Sequence, residues 1–149
     1  DVPAYVTSGV AHLGIVGKDI LIEKESEEFI ELKDLEIGQC RLSLAGKKDL
    51  LMGSTRMKIA TKYPKSSIKF MESIGIQSEI IYLHGAQEIA PLMGLSDAII
   101  DLVESGKTLK ENGLQEIQVI RDISTRLIAN KAALKTKSIL IEELVDIFN

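Results

Sequence analysis

The sequence predicts an α/β fold with mostly parallel strands, laid out as two lobes. Short buried apolar runs alternate with short helical segments, the pattern of βα units. Extended stretches near residues 38–45 and 120–128 each join segments that read as separate α/β units. The chain is therefore expected to cross twice between lobes and to form a hinged body. With 149 residues, 45% of them hydrophobic, it is long enough to bury a core as one domain or two small lobes.

The elements follow in order. Pro3 in a first helical turn, with Tyr5, Val6 and Val10, predicts a short helix. Leu13–Gly17 is a short buried strand bounded by glycines. Lys18–Ile22 reads as a helical turn that runs into a charged, solvated stretch, Glu23–Glu28. Gln39–Ala45 alternates as a strand, with Cys40 as a half-buried thiol. Gly46–Ser54 is a loop and Met57–Thr61 a strand. Pro64 opens a helix carrying Ile68, Phe70, Met71 and Ile74, and Gly75 closes it. Glu79–Leu83 is a strand, Gln87–Met93 a helical turn broken by Pro91, and Ala98–Val103 a buried strand. Ser105 turns into a short helix ending near Gly113. Glu116–Asn130 is extended and divides into one or two strands. Ser138–Phe148 is a final amphipathic helix with Ile139, Leu140, Leu144, Val145 and Phe148 on its apolar side.

Composition narrows the function. The net charge is −4 and aromatic residues make up 4%, so neither a basic footprint nor a base-stacking platform for nucleic acid is supplied. No apolar run reaches the roughly 18 residues of a membrane span. A single cysteine allows no intrachain disulfide and fits a reducing cytoplasm. The opening Asp1-Val2-Pro3-Ala4 has no initiator Met and no signal-peptide pattern. It reads like the middle of a domain, so a longer protein that has lost its N-terminal part is expected.

The sharpest chemical feature is the run Asp97–Leu109. A buried strand meets acidic positions at Asp101 and Glu104, then a Ser105-Gly106-Lys107-Thr108 turn, then a helix start. The turn offers backbone N–H groups, two hydroxyls and one ammonium, which is an anion cradle. Charge-assisted hydrogen bonds of about 1.5–3 kcal/mol each outweigh a diffuse net charge. A nucleotide P-loop would need glycine five residues before Gly106, and that position is Asp101. An acidic strand end before a phosphate turn suits a phosphorylated sugar instead, with the turn on the phosphate and the carboxylates on the ribose hydroxyls. The alternative is an ordinary helix cap with a solvated lysine.

Three further segments stand at strand ends. His84–Pro91 follows a strand and opens a helix, at the edge where open α/β sheets bind ligands; otherwise it is a plain loop. Leu13–Asp19 reads as a cleft-lining loop or as a tight turn with an Asp cap. Ala60-Thr61-Lys62-Tyr63-Pro64 ends a strand in hydroxyl, ammonium and phenol, and either holds an anion or caps the next helix. No Ser-His-Asp set, Cys-His pair or metal-ligand spacing can be assembled. Transfer chemistry that relies on positioning and electrostatics is left.

Taken together these segments resemble the ATP phosphoribosyltransferase catalytic subunit. The stretches that carry the resemblance are Asp1–Val6 (DVPAYV), Leu13–Asp19 (LGIVGKD), Cys40–Gly46 (CRLSLAG), Ile59–Pro64 (IATKYP), Glu88–Gly94 (EIAPLMG), Asp97–Gly113 (DAIIDLVESGKTLKENG) and Arg126–Asn130 (RLIAN). They follow the family's order along nearly the whole chain, and the Asp97–Gly113 stretch is the most specific.

The resemblance implies a type II periplasmic-binding-protein-like fold with two crossover hinge strands. Lobe one would hold residues 1–40 and 123–149, and lobe two residues 41–122. It implies attack of N1 of the ATP adenine on C1 of phosphoribosyl pyrophosphate, releasing pyrophosphate, with Mg²⁺ carried on the substrate. This is the first step of histidine biosynthesis. By position, Glu104, Ser105, Gly106, Lys107, Thr108 and Leu109 would form the 5-phosphate loop. Asp101 and Glu104 would approach the ribose hydroxyls and favour a sugar carbon becoming cationic. Gly17, Asp19 and Glu88 would line the cleft on the ATP side.

The sequence departs from the family at both ends. The family's first strand and its Pro-Lys-Gly-Arg-type phosphate loop are not in the sequence, so weak or no activity is expected of this chain alone. No histidine-binding domain follows Asn149, which resembles the short form, an oligomer working with a regulatory subunit similar to histidyl-tRNA synthetase. A truncated long form is the alternative. The competing class is a non-enzymatic two-lobed binder of small ligands or an effector-sensing domain, since fold alone does not decide function.

Overall fold

A computed structural model describes residues 1–149. The elements run α1 (Val2–Thr7), β1 (Leu13–Gly17), α2 (Lys18–Glu23), β2 (Phe29–Asp34), β3 (Cys40–Lys47), β4 (Arg56–Thr61), α3 (Pro64–Ser73) and β5 (Gln77–Tyr82). A single 3-10 turn, Gln87–Ile89, precedes β6 (Ala98–Val103) and α4 (Lys107–Glu111). Then come β7 (Leu114–Ile123), β8 (Thr125–Asn130), α5 (Lys131–Thr136) and α6 (Ser138–Ile147). The chain divides into two compact units, Asp1–Gln39 with Ile123–Asn149, and Cys40–Asp122.

The first unit is built on a three-stranded sheet in the order β1-β8-β2. Both pairings are antiparallel, with Ile15 opposite Leu127 and Phe29 opposite Asn130. Val6, Val16, Leu21 and Ile128 form its core. Gly14 lies under α1, where a Cβ would run into Val2 and Val6. Asn130 closes the sheet, donating from Nδ2 to the Val6 carbonyl at 2.8 Å and accepting the Ala133 N–H that caps α5 at 3.0 Å.

The second unit is built on a five-stranded sheet in the order β5-β4-β6-β3-β7. β4 runs parallel to both β5 and β6, while β3 runs antiparallel to β6, with Ser43 opposite Asp101 and Arg41 opposite Val103. Leu42, Leu44, Ile59, Ile99 and Ile100 are almost wholly buried, each stabilising the fold by about 1.5–3 kcal/mol. α3 begins at Pro64, whose missing N–H is no loss in a first turn, and ends before Gly75.

The sheets are thus less parallel than expected. The first is wholly antiparallel and the second is mixed, because strand neighbours are set by pairings far apart in sequence. β2 falls where no strand was expected: its partner β8 lies near the other end of the chain, and only that pairing makes the charged run Phe29–Asp34 a strand. α5 was also missed. On α6 only Ile141 is buried; Ile139, Leu140, Leu144 and Phe148, expected on an inward face, are exposed.

Candidate functional site

In the second unit the carboxyl ends of β4, β5 and β6 reach the same edge of the sheet, where Thr61 lies beside both Tyr82 and Ile100. β3 starts at this edge because it is antiparallel to β6. The loops after Thr61, Tyr82 and Val103 and the side chain of Arg41 are thereby brought together, at the edge where α/β sheets hold ligands.

The turn after β6 is shaped by Gly106, which caps α4 at φ +80°, a left-handed conformation that disfavours a side chain. Oγ of Ser105 accepts the Lys107 N–H at 3.3 Å. Glu104, Ser105, Lys107 and Thr108 are exposed. Lys107 is tethered only loosely to Glu111, at 3.8 Å and with both side chains in solvent. α4 has five residues, so anion binding there would rest on individual N–H groups and hydroxyls more than on a macrodipole. Leu109 differs from its neighbours. It is buried with Ala45, Ala60, Ile99, Val103 and Leu114, so its side chain anchors the turn in the core and only its backbone could meet a ligand.

Asp101 is half-buried in β6. Burial pushes its carboxyl above the ordinary carboxylate range; the Leu102 N–H bond, 2.8 Å from Oδ1, works against this, Glu88 adds to it, and Lys62 opposes it. The structure therefore brings Glu88 and Lys62, from two other loops, into the field of Asp101. Ser43, opposite Asp101, is fully buried and its Oγ has no hydrogen-bond partner. Thr61 ties the edge together, donating from Oγ1 to the Ile100 carbonyl at 2.7 Å and accepting the Tyr63 N–H at 2.9 Å and the Ser67 hydroxyl at 3.2 Å. Ala86 is held at φ +57° ahead of buried Gln87. His84 is exposed, edge-on to Tyr82 with ring centroids 4.8 Å apart.

Gly17 and Asp19 belong to the first unit. Asp19 is buried in the first turn of α2, and its Oδ1 lies against Gly17, where a Cβ would make the carboxylate shift. Sequence reasoning passed over Arg41, whose partners lie far along the chain, and Ser43, which looks like any small strand residue. Lys62 was singled out only as a possible cap or anion ligand.

Comparison with known proteins gives this edge a context. The family model described as HisG, ATP phosphoribosyltransferase, matches residues 1–149. The ATP phosphoribosyltransferase of Acidithiobacillus ferrooxidans is 49% identical over 150 residues, covering 97% of this chain and 70% of that protein. Among solved structures, the ATP phosphoribosyl transferase (HisG:HisZ) complex from Thermotoga maritima matches at a TM-score of 0.90 and 37% identity, over 99% of this chain and 73% of that one. The periplasmic aliphatic sulphonate binding protein SsuA of Escherichia coli shares the fold alone, at 0.67 and 13% identity, over 98% of this chain and 53% of that one. The fold is thus α/β, of the type II periplasmic-binding-protein kind. With an acidic strand end leading into an anion-shaped turn, and a family match running from the first residue to the last, the chain belongs to the HisG family of ATP phosphoribosyltransferases.

Proposed function

We propose that the chain transfers the phosphoribosyl group of phosphoribosyl pyrophosphate to N1 of the adenine of ATP, the first step of histidine biosynthesis, with the turn after β6 as its sugar-phosphate site. The family match along the whole chain supports the reaction. The observation that carries the site is the half-buried, cation-poor Asp101 three residues before an exposed donor-rich turn.

In this reading the N–H groups and hydroxyls from Ser105 to Thr108 hold the 5-phosphate, with the ammonium of Lys107 adding charge. Leu109 fixes the turn from below. Asp101 and Glu104 take the ribose hydroxyls. The N1 lone pair forms the new bond to C1 as the C1–O bond to pyrophosphate breaks, and the leaving group keeps that electron pair. Adenine N1 needs no base to release its lone pair. As C1 becomes cationic, a carboxylate nearby gains attraction it did not have in the ground state, which is how a fixed charge lowers a barrier. A partly desolvated Asp101 serves this better than a solvated one. Glu88, in the field of Asp101, is assigned to the ATP side.

Mg²⁺ would be carried on the pyrophosphate of the substrate and would balance its charge. The Thermotoga complex suggests a HisZ-type regulatory partner and an oligomer for this chain as well. No helix is long and apolar enough to cross a membrane, and a cytoplasmic setting suits a biosynthetic transferase with a lone thiol.

Calorimetric titration of phosphoribosyl pyrophosphate with Mg²⁺ tests the site. Asp101→Ala and Thr108→Ala are each expected to bind about tenfold more weakly than wild type, roughly 1.4 kcal/mol. Unchanged affinity in both variants would return the turn to the ordinary helix caps. Tight binding with no transfer to ATP, even in a chain that also carries the family's first strand and phosphate loop, would favour a non-enzymatic ligand binder.

A further inference from the structure

We infer that Arg41 is a positioning residue for the sugar-phosphate turn, a clamp that fixes its first peptide from outside. Arg41 stands at the start of β3, opposite Val103, the last residue of β6. Its side chain reaches past the end of β6. Nη1 donates to the Glu104 carbonyl at 2.9 Å, and Nε donates to Oε2 of Glu116 on β7 at 2.7 Å. One planar guanidinium therefore links β3, β7 and the turn, a task for which its fork is suited and a lysine ammonium is not.

The geometry of the peptide bond supplies the consequence. In a trans peptide the C=O and the following N–H point in opposite directions. Drawing the Glu104 carbonyl onto Arg41 turns the Ser105 N–H away from Arg41, leaving it as a donor for an anion. Glu116 matters equally. It neutralises the guanidinium and holds it, at about three-tenths exposure for Arg41 and a quarter for Glu116, so that Arg41 orients the turn without serving as a phosphate ligand. With Leu109 buried below and Gly106 setting the bend, the clamp at Glu104 fixes the remaining end. Preorganised donors bind an anion more tightly than donors that must be ordered on binding.

This inference rests on reading residues 104–109 as the phosphate turn, and the experiment separates the two. Ribose 5-phosphate and ATP are titrated separately by calorimetry into wild type, Arg41→Gln, Arg41→Lys and Thr108→Ala, and each protein is melted. Arg41→Gln is expected to lose about tenfold in affinity for ribose 5-phosphate with ATP affinity unchanged. Arg41→Lys is expected to recover part of the loss, because an ammonium reaches one acceptor but cannot fork to both. Wild-type affinity in Arg41→Gln beside a loss in Thr108→Ala overturns the clamp alone. Wild-type affinity in all variants overturns the clamp together with the phosphate turn. Equal losses for ribose 5-phosphate and ATP mark a general loosening of the fold and also overturn the clamp.

Discussion

Asp34 in the first unit and Asp101 in the second are the same side chain in opposite surroundings. Asp34 sits in a chain of partners. Its Oδ1 accepts the Ser124 hydroxyl at 2.8 Å and the Glu36 N–H at 2.9 Å, and its Oδ2 faces Arg126 at 3.1 Å. Arg126 also holds Glu31 at 2.8 Å, and Glu31 in turn holds Lys18. The Glu36 and Ser124 hydrogen bonds, with Arg126, keep the Asp34 carboxyl below its ordinary range. Burial pushes Asp101 up, against one backbone N–H from Leu102; Glu88 repels it and Lys62 opposes that. Where acids and bases satisfy one another, charge holds the sheet together. Where a half-buried acid is left short of cations at a sheet edge, its field is available to a ligand.

This contrast can be broken most forcefully at Asp101. Asp101→Asn removes the charge and leaves the shape, and kcat/KM for phosphoribosyl transfer is expected to fall about 10- to 100-fold, the equivalent of one charge-assisted hydrogen bond. Steady-state kinetics check it, and a wild-type value would mean that the acid is structural. Next comes Arg126→Met, which takes from Glu31 and Asp34 the guanidinium they share. About 1–3 kcal/mol of stability should be lost, seen as a lower Tm, whereas a loss of sugar-phosphate affinity at unchanged Tm would erase the distinction between the two regions.

A smaller effect with a sharper sign lies in the pH dependence. Asp34 gives up its proton more readily in the fold than in the unfolded chain, so its stabilisation is complete above the ordinary carboxylate value and is lost as pH falls through its lowered pKa. Asp101 keeps its proton longer in the fold. Its contribution is most favourable in acid, declines as pH rises from the ordinary value through the raised one, and then levels off. At neutral pH Asp34→Asn should therefore lower Tm and Asp101→Asn should raise it, and melts repeated below the carboxylate range should bring both variants back towards wild type. Shifts of the same sign would contradict the assignment. Smallest of all, Glu111→Gln loosens an exposed i,i+4 pair and should change stability by no more than about 0.5 kcal/mol, read in a thermal melt as a shift of at most about 2 °C.

What the sequence disclosed follows from the range of the interactions involved. The turn at Ser105–Thr108 could be read because its determinants, a buried strand, a glycine and two hydroxyls, are contiguous. α3 could be read from Pro64 and Gly75 for the same reason. β2 could not, since Phe29–Asp34 looks like more of the charged run before it until β8 pairs with it. The antiparallel order around β8 was equally invisible. α5 was legible in principle, because Asn130 ahead of Lys-Ala-Ala-Leu is a capping signal, and it was passed over. The outward apolar residues of α6 show that periodicity marks an amphipathic helix without saying which neighbours exist to cover it. At the candidate site, Asp101 was visible and its environment was not, because Glu88 and Lys62 arrive from two other loops.

The pairing of β8 with both β1 and β2 has a consequence for how the molecule is made. The middle strand of the first unit's sheet is synthesised after the whole of the second unit. At about 5–20 residues per second, β1 and β2 leave the ribosome and wait for seconds with no strand between them. The second unit, contiguous from Cys40 to Asp122, can collapse in a single pass during that wait. Non-local strand pairing is slow and exposes sticky edges, so the first unit is the part of the nascent chain that holdase chaperones would meet, and its completion would set the pace of maturation.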